Sequence, residues 1–236
     1  MNIVLIGYGK MGKTIHRLAE ERNHSITGVI DVNNSFELED IAKKSDVAIE
    51  FTNPDSAYNN IKSSIELGLP IVSGTTGWLD RYHDICALST KKKIGFFYAS
   101  NYSIGVNIFY AVNKKLAELM SPYQEYDVHI KETHHIHKLD KPSGTAITTA
   151  EGILEYHHSK SEWIVDDEDV DKLKIQSIRE GEVYGRHEVH YNSKIDEITL
   201  THNALSRDGF ALGALTAAEW IVDQKGPHGM KDLLGL

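Results

Sequence analysis

Met1-Asn2-Ile3-Val4-Leu5-Ile6-Gly7-Tyr8-Gly9-Lys10-Met11-Gly12 opens the chain and decides its fold. The first six residues form a short apolar run, as a strand buried on both faces requires. The run leads directly into three glycines, after which 13–21 reads as a helix. Glycines in this spacing allow a tight turn, close approach of a pyrophosphate and close packing of helix on strand. A second strand over 25–30 then ends in Asp31. A carboxylate about 20 residues beyond the glycines can accept hydrogen bonds from the adenosine ribose hydroxyls. Together these features predict a dinucleotide-binding fold.

The pattern continues outward from that start. Strands over 46–51, 69–72 and 94–98 alternate with helices over 54–67 and 79–90, which implies a parallel sheet covered on both faces. Ligands of such sheets lie beyond the carboxyl ends of the strands. The predicted ends carry Gly7-Tyr8-Gly9, Asp31, Phe51-Thr52-Asn53-Pro54, Ser73-Gly74-Thr75-Thr76-Gly77 and Ala99-Ser100-Asn101-Tyr102-Ser103. Any one of these could be an ordinary turn; together they mark a cofactor path. After about residue 104 the character changes. An amphipathic helix (105–120) and a strand (125–132) precede a helix over 145–156 and alternating strands over 174–179, 187–191 and 197–202. The acidic stretch 160–171 reads as a surface loop, and an alanine-rich helix over 210–223 closes the pattern. The expected fold class is α/β: a Rossmann-like parallel-sheet nucleotide domain (1–103 and 209–236) and a smaller α+β substrate and oligomerisation domain (104–208) with a mixed or antiparallel sheet.

Composition narrows the partners. The chain has 236 residues and a formal charge of −9, which disfavours nucleic acid or an anionic membrane as the main partner. No apolar run reaches the roughly 18 residues of a membrane span, and the first strand ends in glycines rather than a cleavage site, so a cytoplasmic enzyme is expected. Cys86 is the one cysteine and reads as a small buried hydrophobe.

Glu132-Thr133-His134-His135-Ile136-His137-Lys138-Leu139-Asp140-Lys141-Pro142-Ser143-Gly144-Thr145-Ala146 carries the chemistry. Ser143 can cap the following helix, and the free amides of Ser143, Gly144 and Thr145 favour an anion. With the histidines and lysines just before them, they would receive a small carboxylated molecule and supply proton donors. Zinc on His134, His135 and His137 is a competing reading. The adjacency of the first two and the repulsion from Lys138 and Lys141 argue against it, and no resident metal is expected. A nucleotide-sensing regulator or another small-substrate dehydrogenase would use the same first half, but a sensor needs no proton donor.

The segment from Glu132 to Ala146 closely resembles the signature of the 4-hydroxy-tetrahydrodipicolinate reductase family, formerly dihydrodipicolinate reductase. Gly7–Gly12, Phe51-Thr52-x-Pro54, Gly74-Thr75-Thr76-Gly77, the run Asn101 to Asn107, Arg179-x-Gly181-x-x-x-Gly185-x-His187, and His202-x-Ala204-x-Ser206-Arg207-x-x-Phe210-Ala211 match in order. The resemblance implies NAD(P)H-dependent reduction of a ring dicarboxylate in the diaminopimelate and lysine route by a homotetramer joined through the substrate-domain sheet. It places the acid/base histidine on His134, the proton-donating lysine on Lys138, and substrate binding on His135 and the Gly144-Thr145 backbone. Cofactor contacts fall on Gly7, Tyr8, Gly9, Lys10, Met11 and Gly12, on Asp31, on Gly74, Thr75 and Thr76, and on Ala99, Ser100, Asn101 and Tyr102. Members that use NADPH readily tend to carry an arginine after the acid. This chain has Val32-Asn33-Asn34 there, so NADH is expected to be preferred to NADPH.

Overall fold

Strand β1 (Asn2–Ile6) shows why the first sheet is covered on both sides. Ile3 and Leu5 point into one apolar cluster and Val4 and Ile6 into another, and all four are buried. Side chains alternate across a strand, so only a two-faced sheet can bury such a run.

The computed structural model describes residues 1–157 and 159–236. In chain order, β1 is followed by α1 (Lys10–Glu21), β2 (Ser25–Ile30), α2 (Leu38–Ala42), β3 (Val47–Glu50), α3 (Pro54–Glu66), β4 (Ile71–Ser73), α4 (Tyr82–Lys92) and β5 (Gly95–Tyr98). Then come α5 (Ile104–Met120), β6 (Asp127–His134), α6 (Gly144–Leu154), β7 (Glu162–Val165), β8 (Lys172–Arg179), β9 (Arg186–Asn192) and β10 (Glu197–Asn203). The chain closes with α7 (Asp208–Ile221), β11 (Gly226–His228) and α8 (Met230–Leu234). It divides into two compact units, one of Met1–Ile104 with Asp208–Leu236 and one of Gly105–Arg207.

The first unit is a six-stranded sheet in the order β11-β5-β4-β3-β1-β2, and each adjacent pair is parallel. The chain leaves β1 toward β2 and then returns to place β3 on the other side of β1. That reversal opens a crevice at the carboxyl ends of β1 and β3, where a ligand of this fold is received. The second unit is a five-stranded sheet in the order β10-β9-β6-β8-β7. Its central strand β6 runs parallel to β8 and antiparallel to β9, so the sheet is mixed. Val128 and Ile130 of β6 pack with Phe109 and Ala117 of α5 and Ala146 and Ala150 of α6.

Three features differ from the sequence expectation. The acidic stretch 160–171 is not all loop, because Glu162–Val165 pairs with β8 as the edge strand β7. Four residues flanked by charges are too few to show alternation. The final strand β11 and helix α8 are likewise too short to have a period. Helix α1 starts at Lys10 rather than at 13, which puts Lys10, Met11 and Gly12 in its first turn.

Close packing of α7 depends on a glycine. A Cβ on Gly213 would stand 1.7 Å from the Tyr102 carbonyl oxygen, whereas one on Gly209 would meet only Ser103 Oγ at 3.8 Å. Alanine normally favours a helix over glycine by about 1 kcal/mol. Gly213→Ala should nonetheless lower Tm by several degrees, because the clash is with backbone, while Gly209→Ala should leave Tm within about 2 °C or raise it. Thermal unfolding by circular dichroism reads both; an unchanged Gly213→Ala would refute this packing.

Candidate active site

In the first unit, Gly7 takes a φ of +94° and has no room for a Cβ, which would lie 2.1 Å from the Phe51 carbonyl oxygen. A Cβ on Gly12 would lie 2.3 Å from the Gly7 carbonyl oxygen. These two glycines therefore serve the turn and the helix–strand packing. Gly9 differs: a Cβ there would meet nothing within 4 Å. Gly9 is also the N-cap of α1 and no side chain caps that helix, so its first-turn amides are left for an outside acceptor. A cavity of about 890 Å³ opens at this point, lined by Gly7, Tyr8, Gly9, Asp31, Phe51 and Thr52 among others. Asp31 Oδ1 accepts from the Asn33 amide at 2.7 Å. Lys13 Nζ stands 5.9 Å from the centre of the Tyr8 ring.

The remaining cofactor candidates lie at the ends of β4 and β5 and do not line that cavity. Gly74 makes room for the Phe51 ring, which a Cβ would meet at 2.0 Å. Thr75 donates through its hydroxyl to Glu50 at 2.8 Å and accepts from the Thr52 amide at 2.8 Å. Buried Glu50 also takes the hydroxyls of Thr52 and Ser73. It thus ties the ends of β3 and β4 together, a role that the sequence did not suggest. Thr76 is exposed beside it, as is Ser100, while Ala99 is buried. Asn101 accepts from the Ser103 amide at 2.9 Å. Tyr102 is a packing residue in its side chain: its hydroxyl donates to the Ser73 carbonyl at 2.7 Å, and burial raises it well above the usual tyrosine range.

In the second unit, the catalytic candidates gather around the end of β6. Strand residues two apart share a face, so Glu132 and His134 both turn inward and are buried. Glu132 Oε1 accepts from the Ser143 amide at 3.1 Å, Ser177 Oγ at 2.5 Å and an Arg179 guanidinium nitrogen at 3.2 Å. Its Oε2 stands 3.2 Å from His134 Nδ1, a close contact that is not aligned as a hydrogen bond, and both atoms are buried with no other group engaging them. Burial opposes a charge on Glu132, but the His134 contact and the donors from Ser143 and Ser177 outweigh it and hold the carboxyl well below the usual carboxylate range. Beside this pair, His187 presents its ring 5.0 Å from that of His134. Burial, and then the proximity of His134, push His187 down to about 3. His187 is therefore neutral near pH 7.

Arg179 organises the loop that follows. It donates to the Lys138 carbonyl at 3.3 Å and the Asp140 carbonyl at 2.5 Å. Lys138 Nζ rests on Asp140 at 2.8 Å. Ser143 Oγ accepts from the Ala146 amide at 3.2 Å. Its side chain is thus the helix cap and its amide is engaged by Glu132, which leaves the hydroxyl hydrogen as the group Ser143 has to offer. Gly144 and Thr145 keep their helix-end amides, and a Cβ on Gly144 would meet nothing within 4 Å. His135 Nε2 lies 3.1 Å from an Arg207 guanidinium nitrogen. A guanidinium can only donate, so Nε2 accepts and the neutral ring carries its hydrogen on Nδ1, a buried atom without a partner. Burial and then Arg207 hold His135 below the usual histidine range. Arg207 belongs to the run His202–Ala211, and only its contact with His135 gives it a place in the site.

The metal reading is changed by this geometry. His137 points to Glu182 at 3.2 Å, while Glu132, His134 and His187 bring their donor atoms within 4.8 Å of one another. Arg179 on the same carboxylate would repel a cation, so the cluster suits proton chemistry better.

Comparison with known proteins gives the family. Residues 1–102 match the N-terminal model of dihydrodipicolinate reductase and residues 105–234 match its C-terminal model. The 4-hydroxy-tetrahydrodipicolinate reductase of Christiangramia forsetii is 46% identical, covering 99% of this chain and 98% of that protein. That of Staphylococcus saprophyticus is 36% identical, covering 95% and 96%. A solved dipicolinate-bound dihydrodipicolinate reductase from Paenisporosarcina sp. TG-14 shares the fold, with a TM-score of 0.79 at 23% identity over 97% of each chain. An engineered D-amino acid dehydrogenase bound to NADP+ shares the fold more distantly, with a TM-score of 0.55 at 12% identity over 98% of this chain and 93% of that one. The regulator and amino-acid dehydrogenase readings are not favoured by these relatives. The chain belongs to the dihydrodipicolinate reductase family, nicotinamide-dependent oxidoreductases of diaminopimelate and lysine biosynthesis that reduce 4-hydroxy-tetrahydrodipicolinate.

Proposed function

We propose that the first unit binds NADH in preference to NADPH, and that the end of β6 and the start of α6 in the second unit bind and protonate the dicarboxylate substrate. The observation that carries this reading is the set of buried Glu132 and His134 with the more open Lys138 and α6 amides, held together by one carboxylate. The first unit fits a dinucleotide in its uncapped α1, its unfilled space at Gly9, and Asp31 at the cavity rim. A bound nicotinamide would supply a hydride to the substrate ring. The Gly144 and Thr145 amides receive a substrate carboxylate, with His135 beside them held in place by Arg207. Lys138 leaves Asp140 to place its ammonium on the ring nitrogen or its developing charge. His134 delivers a proton from the Nε2 side. Tyr102, Gly74 and Thr75 support the cofactor rim through packing and backbone. The chain works in the cytoplasm, and among the described residues no helix is long and apolar enough to cross a membrane. Four copies assemble through the face of the second sheet that carries His129, Lys131 and His190. His129 and His190 stack there with ring centres 4.8 Å apart.

Two glycines separate the two binding functions. Gly9→Ala and Gly144→Ala both place a methyl in open space, so both variants should fold with wild-type Tm. Gly9→Ala should weaken NADH by about tenfold and leave dipicolinate inhibition unchanged; Gly144→Ala should do the reverse. Lys138→Met should retain NADH affinity and lose roughly 100-fold in kcat. Titration calorimetry and the NADH-oxidation assay with freshly generated 4-hydroxy-tetrahydrodipicolinate measure these effects. Loss of both ligands in either glycine variant, or near-normal turnover in Lys138→Met, would contradict the assignment.

The cofactor preference has its own test. None of the residues lining the Asp31 cavity is a lysine or arginine, and Val32 is 82% exposed where a phosphate partner would stand. A 2′-phosphate would meet the like charge of Asp31. The kcat/KM for NADH should therefore equal or exceed that for NADPH, and Val32→Arg should raise the NADPH value by several-fold. A clear NADPH preference in the unaltered chain would refute the role given to Asp31.

A further inference from the structure

Glu132 lies two residues before the proton-donating histidine and touches neither substrate nor cofactor in the reading above. Its two oxygens are used differently. Oε1 takes three donors, from Ser143, Ser177 and Arg179. Oε2 faces only His134 Nδ1, at 3.2 Å. An ionised carboxylate can only accept, so at 3.2 Å it favours a hydrogen on the nitrogen that faces it, drawn into line when the site is engaged. The proton that His134 exchanges with substrate is then confined to Nε2.

The surroundings of Nε2 fit that confinement. A Cβ on Gly185 would lie 3.1 Å from His134 Nε2, so the glycine at this position keeps that nitrogen free of a side chain. Gly185 has a φ of +152°, which further disfavours any other residue there. The neighbouring His187 is buried and neutral near pH 7, so it adds no charge that would repel an imidazolium.

We infer that Glu132 is a positioning residue for the reduction: it fixes His134 in the Nδ1–H form with Nε2 presented for proton transfer, and through its other oxygen it ties that ring to the α6 N-terminus and the Lys138 loop. The inference rests on the reading of His134 as a proton donor. In the step itself, the Nε2–H bond breaks, the electron pair stays on the ring nitrogen, and the proton passes to the substrate atom that gained electron density from the hydride. His134 is left neutral, with its Nδ1 hydrogen still facing Glu132, and Glu132 stays ionised throughout. Ser177 and Arg179 sit opposite Glu132 and His134 respectively in the β6–β8 register. One carboxylate therefore sets the ring, the helix cap and, through Arg179, the Lys138 and Asp140 carbonyls.

Glu132→Gln and Glu132→Asp give opposite answers for positioning and for mere support. Glutamine keeps the length and the Oε1 acceptor but turns an NH2 donor toward Nδ1, which forces the wrong tautomer. Aspartate keeps the charge but shortens the reach to Ser143, Ser177 and Arg179. The expected result is a kcat about 100-fold low in Glu132→Gln, with the KM for substrate and the NADH affinity within about threefold of normal. Glu132→Asp should be the more active of the two. Glu132→Gln/His134→Gln should be no slower than His134→Gln alone, because the effect travels through that ring. Three results would overturn the inference: a glutamine variant more active than the aspartate, additive losses in the double variant, or a Glu132→Gln that binds neither NADH nor dipicolinate. Near-normal turnover in His134→Gln would instead remove the reading of His134 on which the inference stands.

Discussion

The second unit of this protein depends on one buried carboxylate. Burying a charge costs several kcal/mol unless donors surround it, and Glu132 is fully buried. The donors that offset this cost come from β8 and the N-cap of α6, and the ring of His134 stands 3.2 Å from the other oxygen. None of those groups can move without leaving the charge short of a partner. The constraint that stabilises Glu132 is thus the same one that fixes the histidine, the α6 N-terminus and the lysine loop relative to one another. Preorganisation of this kind lets donors act without reorganising during the reaction.

Two helix N-termini leave backbone amides free, and the chain treats them differently. Helix α1 has glycine as its N-cap and no side-chain partner for its first amides. Helix α6 has Ser143, whose hydroxyl takes the Ala146 amide and leaves only the Gly144 and Thr145 amides free. The first therefore offers a broader run of amides, suited to a pyrophosphate, and the second a narrow pair, suited to a single carboxylate. Glycine serves opposite purposes within the same motif. Gly7 and Gly12 are needed because other backbone lies against them, whereas Gly9 is needed because nothing does.

Much of this was legible in the sequence. Alternation of apolar and polar residues located the larger elements, because strands of five or six residues and helices of ten or more complete a period. The short strands at Glu162–Val165 and Gly226–His228 do not, and they were missed. Pairing across the second sheet was also beyond local reading. That His187 and Ser177 both lie opposite Glu132 follows from strand order and register. Neither can be read from the separations along the chain. The Glu132–His134 contact was nearer to hand: an i, i+2 pair on a strand shares a face, so an acid two places before the histidine was a signal available in the motif itself. At Ser143 and Tyr102, residue type shows that a hydroxyl is present but not which acceptor or donor has already engaged it.

The central claim is that Glu132 holds the proton-donating ring in a single form. It can be read directly from the ring-nitrogen resonances of His134 in uniformly 15N-labelled protein, assigned by comparison with His134→Gln and recorded near pH 8. The account predicts a protonated-type Nδ1 shift and an unprotonated-type Nε2 shift for that residue. A hydrogen on Nε2 instead, or two forms averaging in comparable amounts, would contradict it.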